Sequence, residues 1–167
     1  DELVNLARTY GAGGLVTMGG ALGSGVVGDI NVTDSSLGVT FAAAVNAATI
    51  TLTDTTTGQT IEFSANLDAT DLVTVGNAYN LSLLGTTTTI AQQVDMVNTG
   101  TVTLGGAGDT VTFNGGLSFS GGTNQKLTLK NCTFENTGSH ADGRFFCGAG
   151  SGGGTQVIEG CLIKDFT

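Results

Sequence analysis

Short alternations of apolar and small or polar residues recur along the second half of the chain. Residues i and i+2 of a strand face the same side, so each alternation predicts a strand that points two side chains into one interior. The first four begin at a constant spacing, and the fifth begins one residue earlier than that spacing requires: Val102-Thr-Leu104, Leu117-Ser-Phe119, Cys132-Thr-Phe134, Cys147-Gly-Ala149 and Cys161-Leu-Ile163.

A turn signal precedes three of these alternations. Asn and Gly tolerate the left-handed backbone conformation, so their recurrence at one place in the repeat predicts a recurring sharp corner. The three segments are Phe113-Asn-Gly-Gly-Leu117, Leu129-Lys-Asn-Cys132 and Ile158-Glu-Gly-Cys161. Strands and corners in such an order predict stacked coils, that is, a β-solenoid over the repeat region 96–167.

The first half of the chain is also strand-like. Ile50-Thr-Leu52 and Thr60-Ile-Glu-Phe63 alternate on either side of the loop 54–59, a pattern typical of an antiparallel hairpin. The predicted fold is therefore all-β, with a β-solenoid in the C-terminal half and a β-rich, hairpin-containing N-terminal half. An antiparallel β-sandwich is the alternative.

The segments 127–136 and 157–166 carry a resemblance to a known family. They read as an apolar alternation, an Asn or Gly corner, Cys, and a second alternation. This resembles the parallel β-helix repeats of pectate-lyase-like proteins, phage tailspikes and surface passenger domains, over roughly the last 70 residues. A 15-residue coil, as from Val102 to Leu117, is short for that family, so two hypotheses stay open. Either the solenoid is a flat, two-sheet one with such short coils, or a full 29-residue coil runs from Cys132 to Cys161.

Composition supports the all-β prediction and excludes some partners. Only 11% of the residues are charged and 28 are Gly, with no Pro, whereas charged residues usually make up roughly a quarter. The net charge is −9, and no Lys or Arg lies between Arg8 and Lys126. Nucleic acid and anionic membrane surfaces both require clustered cations, so neither is an expected partner. No apolar run approaches the roughly 20 residues of a membrane-spanning helix, and no membrane insertion is predicted.

The amino-terminal segment differs from the rest. Residues 1–28 form a Gly/Ala-rich apolar segment, which is followed by a single β domain (29–167). An apolar segment with few charges is poorly suited to solvent, so we predict that it packs against its own sheet or assembles against another subunit. The predicted assembly residues are Leu3, Val4, Leu6, Leu15 and Val16.

Three cysteines occupy repeat positions near the carboxyl end. Their spacing lacks the close pairs of a zinc site. On successive coils their backbones would lie near the ~4.8 Å strand spacing, within reach of a disulfide. Two hypotheses remain: a disulfide among Cys132, Cys147 and Cys161, or three small core residues.

The sequence offers little support for a catalytic site, and we predict that the chain is not an enzyme. The single His140 shares a polar loop with Ser139 and Asp142, and neighbours on one loop cannot adopt triad geometry. The sequence 105–111 matches three glycines of the calcium nonapeptide, but Asp109 arrives one residue early. An ordinary corner is expected there, with calcium as the only cofactor considered.

The remaining features favour a structural role. Strand edges are usually blocked by Lys, Pro or other charges, and this chain has no Pro and no Lys before residue 126. We predict that the chain is a self-assembling extracellular or cell-surface protein. It would be the subunit of a filament, sheath or surface layer, and its partner would be further copies of the same chain. The alternative is a binding module, either a tailspike- or adhesin-like β-helix or an ice-binding solenoid suggested by Thr-x-Thr pairs.

Overall fold

The regular elements of this chain are parallel strands stacked as a β-solenoid of about five turns. The computed structural model describes residues 4–7, 15–23, 28–122, 125–130, 133–135, 156–159 and 162–164. Every strand pair in those ranges is parallel, so the predicted all-β solenoid is confirmed and the antiparallel sandwich is not adopted.

Seventeen strands lie within these ranges, most of them three to five residues long. They are β1 (Val4–Ala7), β2 (Val16–Met18), β3 (Ile30–Asp34), β4 (Val39–Phe41), β5 (Val45–Leu52), β6 (Thr60–Phe63), β7 (Leu67–Thr74), β8 (Asn80–Leu83), β9 (Thr87–Ile90), β10 (Val94–Met96), β11 (Thr101–Leu104), β12 (Thr110–Phe113), β13 (Leu117–Phe119), β14 (Lys126–Lys130), β15 (Thr133–Glu135), β16 (Gln156–Glu159) and β17 (Leu162–Lys164).

Each complete turn passes through three strand-bearing faces. Face 1 contains the first halves of β5 and β7, then β9 and β12. Face 2 contains β1, β3, the second halves of β5 and β7, then β10 and β13. Face 3 contains β2, β4, β6, β8, β11, β14 and β16. The two long strands bend between faces, because their buried positions are three residues apart at the bend instead of two.

Strand registers give the coil length directly, because register partners occupy equivalent positions on neighbouring turns. Val39 pairs with Ile61, Ile61 pairs with Leu81, and Val102 pairs with Leu127, so the sequence separation between partners differs from turn to turn. The last turn is longer still, since Thr133 pairs with Leu162, the same separation as that between Cys132 and Cys161. The 15-residue coil is therefore wrong, and the 29-residue coil is correct for this last turn.

The 15-residue column joins different faces of the solenoid. Leu117 pairs with Val94 on face 2, whereas Val102 lies on face 3. Successive alternations follow the chain around one coil, and equivalent positions on neighbouring coils are further apart in sequence. The spacing within a coil looked like a repeat because the faces carry strands of similar length.

The predicted hairpin at 50–63 is also wrong. β5 runs through faces 1 and 2 and β6 lies on face 3, each parallel to its own neighbours. Residues 53–59 form a corner between faces. A strand with alternating apolar residues buries one of its two sides whether it pairs parallel or antiparallel. The sequence pattern therefore did not distinguish a hairpin from a parallel arrangement. The solenoid accordingly extends through the N-terminal half, where β1 and β2 continue faces 2 and 3.

The core consists of columns of inward side chains from successive turns. On face 3 the Phe41 and Phe63 rings stack with centroids 4.5 Å apart and planes 6° from parallel. Leu117 and Phe119, predicted to be buried, are half-buried and pack against this core. The columns on face 3 are Val39, Ile61, Leu81, Val102 and Leu127, and Phe41, Phe63, Leu83 and Leu104.

Hydrogen bonds of polar side chains connect neighbouring turns at the corner that precedes face 3. The buried Tyr79 hydroxyl donates to the Leu52 carbonyl (2.9 Å) and accepts from the Val75 N–H (3.2 Å). Asn98 Nδ2 donates to the Tyr79 carbonyl one turn back (3.0 Å). Burial raises the pKa of Tyr79 to about 12, because the phenolate would be poorly solvated there. The phenol thus acts as a neutral cross-link between turns.

Candidate functional site: the amino-terminal edge and the outer faces

Two strands, β1 and β2, form the amino-terminal edge of the described part of the solenoid. β1 is the first strand of face 2 and pairs with β3, and β2 is the first strand of face 3 and pairs with β4. Within the described ranges, neither has a partner on its other side. Their sequences, Val-Asn-Leu-Ala and Val-Thr-Met, contain no charged residue and no Pro. Within the β1–β3 pair the register shifts between Leu6 and Ala7, an irregularity that weakens pairing at an edge.

The hydrogen bonds of β2 show which of its backbone groups face this edge. The Met18 carbonyl accepts the Ala42 N–H (2.9 Å), so the backbone polar groups of Met18 point toward β4. Successive residues of a strand direct these groups to opposite sides. The N–H and C=O of Thr17 therefore point to the open edge.

The same alternation applies to β1. The Val32 carbonyl accepts the Thr53 N–H (2.8 Å), so Val32 faces β5 and Asn31 faces β1. Asn5 is the register partner of Asn31, and its own backbone groups consequently point away from β3. Asn5 and Thr17 thus supply the donors and acceptors of the amino-terminal edge.

The predicted assembly residues map onto this edge in part. Val4 and Leu6 lie in β1 and Val16 in β2, while Leu15, just before β2, is 56% exposed. Leu3 lies outside the described residues. Leu15 and Leu37 (43% exposed), in the next turn, provide exposed apolar surface near β2 and β4. Whether a second subunit covers it stays a prediction.

The opposite end is formed by strands that carry charges. β16 pairs with β14 and β17 pairs with β15. β16 ends in Glu159 and β17 ends in Lys164. The strands at the two ends of the described solenoid therefore differ in their content of charged residues.

The outer faces of the turns are acidic and polar. Residues 28–122 contain eight Asp or Glu residues and no Lys or Arg. On face 2 the Asp95 carboxylate accepts hydrogen bonds from Ser118 Oγ (3.0 Å) and Ser120 Oγ (2.6 Å). Among the described residues no three His, Cys, Asp or Glu side chains are grouped closely enough to hold a metal ion. The calcium-like segment forms a tight turn with positive φ at Gly105 and Gly108.

Face 1 carries an open groove of about 380 Å³. Ala21, Leu22 and Ala44 line its first part, and the outward side chains of the following turns continue it. Asn66 is already engaged, since its Oδ1 accepts the Thr87 N–H (3.1 Å). The polar lining residues are Asn46, Asn66, Asp68, Thr87 and Thr89. The sequence did not indicate this groove, because its residues come from four turns.

The Thr-x-Thr pairs are divided among the faces. Thr49 and Thr51 are on face 2, Thr101 and Thr103 on face 3, and the pair at 110 and 112 on face 1. The largest array pairs the threonines of β9 with those of β12 on face 1. Asp68 stands next to Thr89 in the neighbouring turn and interrupts the array.

The other candidate residues from the sequence lie outside the described residues: Ser139, His140 and Asp142, and the cysteines Cys132, Cys147 and Cys161. A disulfide among these cysteines stays a prediction. In the parts of the chain that the structure describes, no helix has the length and apolar character to cross a membrane. Comparison of the chain with models of protein families, with curated proteins and with solved structures finds no match.

Proposed function

We propose that this chain is a structural, self-assembling protein whose subunits join by β-strand pairing at the amino-terminal edge. The observation that carries the proposal is the edge itself: Asn5 and Thr17 direct backbone donors and acceptors outward from strands without charge or proline. Unpaired strand edges of this kind are templates for another strand. A second copy of the chain supplies strands of matching spacing.

The exposed apolar side chains at this end add to the pairing. Leu15 is more than half exposed and directly precedes β2, so a subunit stacked on β2 would cover it. Burying such side chains contributes roughly 25 cal/mol per Å² of apolar surface. An extracellular or cell-surface location, as a filament, sheath or surface-layer subunit, is part of the proposal.

Two matched charge substitutions test the assembly. Leu15→Lys places a charge beside β2, and Val73→Lys places one on face 2 of an inner turn, where the side chain is 40% exposed. Sedimentation velocity and negative-stain images of the wild type should show ordered polymers at micromolar concentrations. Leu15→Lys should raise the concentration for assembly at least tenfold, and Val73→Lys should leave it nearly unchanged. A wild type that stays monomeric at all concentrations contradicts the proposal.

A binding module is the second candidate, and the groove on face 1 is the observation that favours it. Apolar residues together with amide, carboxylate and hydroxyl side chains of consecutive turns line one open groove, which offers an extended ligand both apolar contacts and hydrogen-bonding groups. The ice-binding version has less support, since the threonine array spans two turns. Monomers that show thermal hysteresis, lost on replacing Thr89 by Asp, would favour the ice-binding version over the structural role.

A further inference from the structure

We propose that the corner 113–116, which joins β12 on face 1 to β13 on face 2, is a self-modification site. The side chain of Asn114 reacts there with the backbone nitrogen of the next residue and loses its amide nitrogen, which yields aspartate and isoaspartate. The proposal goes beyond self-assembly, because it concerns the turn signal Asn114-Gly115-Gly116, for which the assembly proposal has no use.

The corner leaves the reacting groups accessible. The Gly116 N–H donates to the Phe113 carbonyl (3.1 Å), so residues 113–116 form a β-turn with Asn114 and Gly115 at its central positions. Residues 114–116 are exposed. Within the described residues, neither the Asn114 side chain nor the Gly115 N–H has a hydrogen-bond partner. The side-chain amide and the backbone nitrogen next to it are therefore both unengaged.

The reaction balances without an oxidant or a reductant. Hydroxide removes the proton of the Gly115 N–H, and the nitrogen attacks Cγ of Asn114. The new N–Cγ bond closes a succinimide ring, the Cγ–Nδ2 bond breaks, and Nδ2 takes a proton from water and leaves as ammonia. Water then opens the ring at either carbonyl carbon. Opening at Cγ gives aspartate, and opening at the backbone carbonyl carbon gives isoaspartate, in which the main chain runs through the side chain.

Glycine at position 115 serves both the turn and the reaction. A Cβ at 115 would lie 2.1 Å from the backbone nitrogen of Gln93, so only glycine fits this corner. Its missing side chain also leaves the approach of the nitrogen to Cγ unobstructed, and its backbone has the conformational freedom that ring closure requires. Asparagine is among the thermolabile residues of proteins. The fold thus places next to Asn114 the residue type that hinders this reaction least.

Other asparagines of the corners are held by hydrogen bonds. The Oδ1 atoms of Asn66 and Asn80 accept backbone N–H groups of the next turn (3.1 and 2.8 Å). Asn98 is fully buried, and its Nδ2 donates to a carbonyl one turn back (3.0 Å). In the whole sequence only Asn114 precedes a glycine. The reaction is therefore expected at Asn114 ahead of every other asparagine that the structure describes.

Peptide mapping by mass spectrometry tests the proposal on the folded protein, stored at mildly alkaline pH and sampled over weeks. Peptides that contain residue 114 should gain the mass difference between an amide and a carboxylic acid, and they should separate into aspartate and isoaspartate products. Asn46 is the internal control, because it is also exposed but precedes Ala47. Asn114 should convert roughly tenfold faster than Asn46 or more, because glycine does not obstruct the attack.

Two variants and one change of conditions make the result decisive. Asn114→Gln keeps the amide but requires a larger ring, so conversion should fall to the level of the control, and Asn114→Ser removes the reacting amide. Circular dichroism confirms that both variants are folded. Equal rates at Asn46 and Asn114 would overturn the role assigned to the corner. Conversion of Asn114 only after unfolding in urea would show that the turn protects this residue, and would overturn the proposal as well. Neither result bears on self-assembly.

Discussion

Replacing Thr88 by Val should stabilise the protein. Thr88 lies in an inward column of face 1, between Leu67 in one neighbouring turn and Val111 in the other, and its side chain is fully buried. Its Oγ1 has no hydrogen-bond partner among the described residues. A buried hydroxyl without a partner costs about 1–3 kcal/mol of desolvation. Valine has nearly the same shape and restores an aliphatic column.

The same substitution at Thr74 should have the opposite effect. Thr74 is also buried, but its Oγ1 donates to the Asp95 carbonyl (2.9 Å) and accepts the Val97 N–H (2.9 Å). Thr74→Val removes both bonds and leaves two backbone groups unpaired. We expect Thr88→Val to raise the free energy of unfolding by about 1–2 kcal/mol and Thr74→Val to lower it by about 1–3 kcal/mol.

Urea denaturation at 25 °C measures both changes, provided that the variants share the wild-type slope so that midpoints can be compared. Assembly is suppressed by working at low protein concentration. In thermal unfolding each kcal/mol corresponds to about 2–4 °C for a domain of this size. A Thr88→Val protein that is less stable than the wild type, or equal shifts of one sign in the two variants, would refute the assignment of Thr88 as an unpaired buried hydroxyl.

Three other predictions concern the corners and the cysteines. Gly38→Ala should destabilise more than Gly108→Ala in urea unfolding: both glycines have positive φ, but a Cβ at 38 would overlap the Thr60 carbonyl oxygen, whereas the one at 108 meets open space. The raised pKa of Tyr79 means that the contribution of its neutral phenol to the free energy of unfolding is present below pH 10 and is lost as pH rises through about 12. A Tyr79→Phe protein should therefore lose less stability than the wild type over this pH range. Identical plots of stability against pH for the two proteins would contradict this prediction. Thiol labelling of the denatured, unreduced protein should show fewer than three reactive thiols per chain, and three would exclude a disulfide among Cys132, Cys147 and Cys161.

The local pattern alone determined which side chains face inward. Alternation identified Ile50 with Leu52 and Ile61 with Phe63 as buried pairs, and the structure buries all four. This inference is reliable because the two-residue period of a strand depends only on the backbone of that strand. The Gly and Asn turn signals likewise indicated a chain that corners repeatedly, and their combination with short strands indicated a solenoid.

The pairing of those strands was decided by tertiary structure. Ile50 and Ile61 read as two sides of a hairpin, yet they belong to different faces, because parallel and antiparallel strands share one alternation and the partner lies a full coil away. The coil length was also decided by tertiary structure. Spacing in the sequence could not identify Leu127 as the register partner of Val102, because the corners vary in length from turn to turn. The open edge at Thr17 and the groove on face 1 also depend on this stacking. They exist only after residues a full coil apart in sequence have been brought side by side.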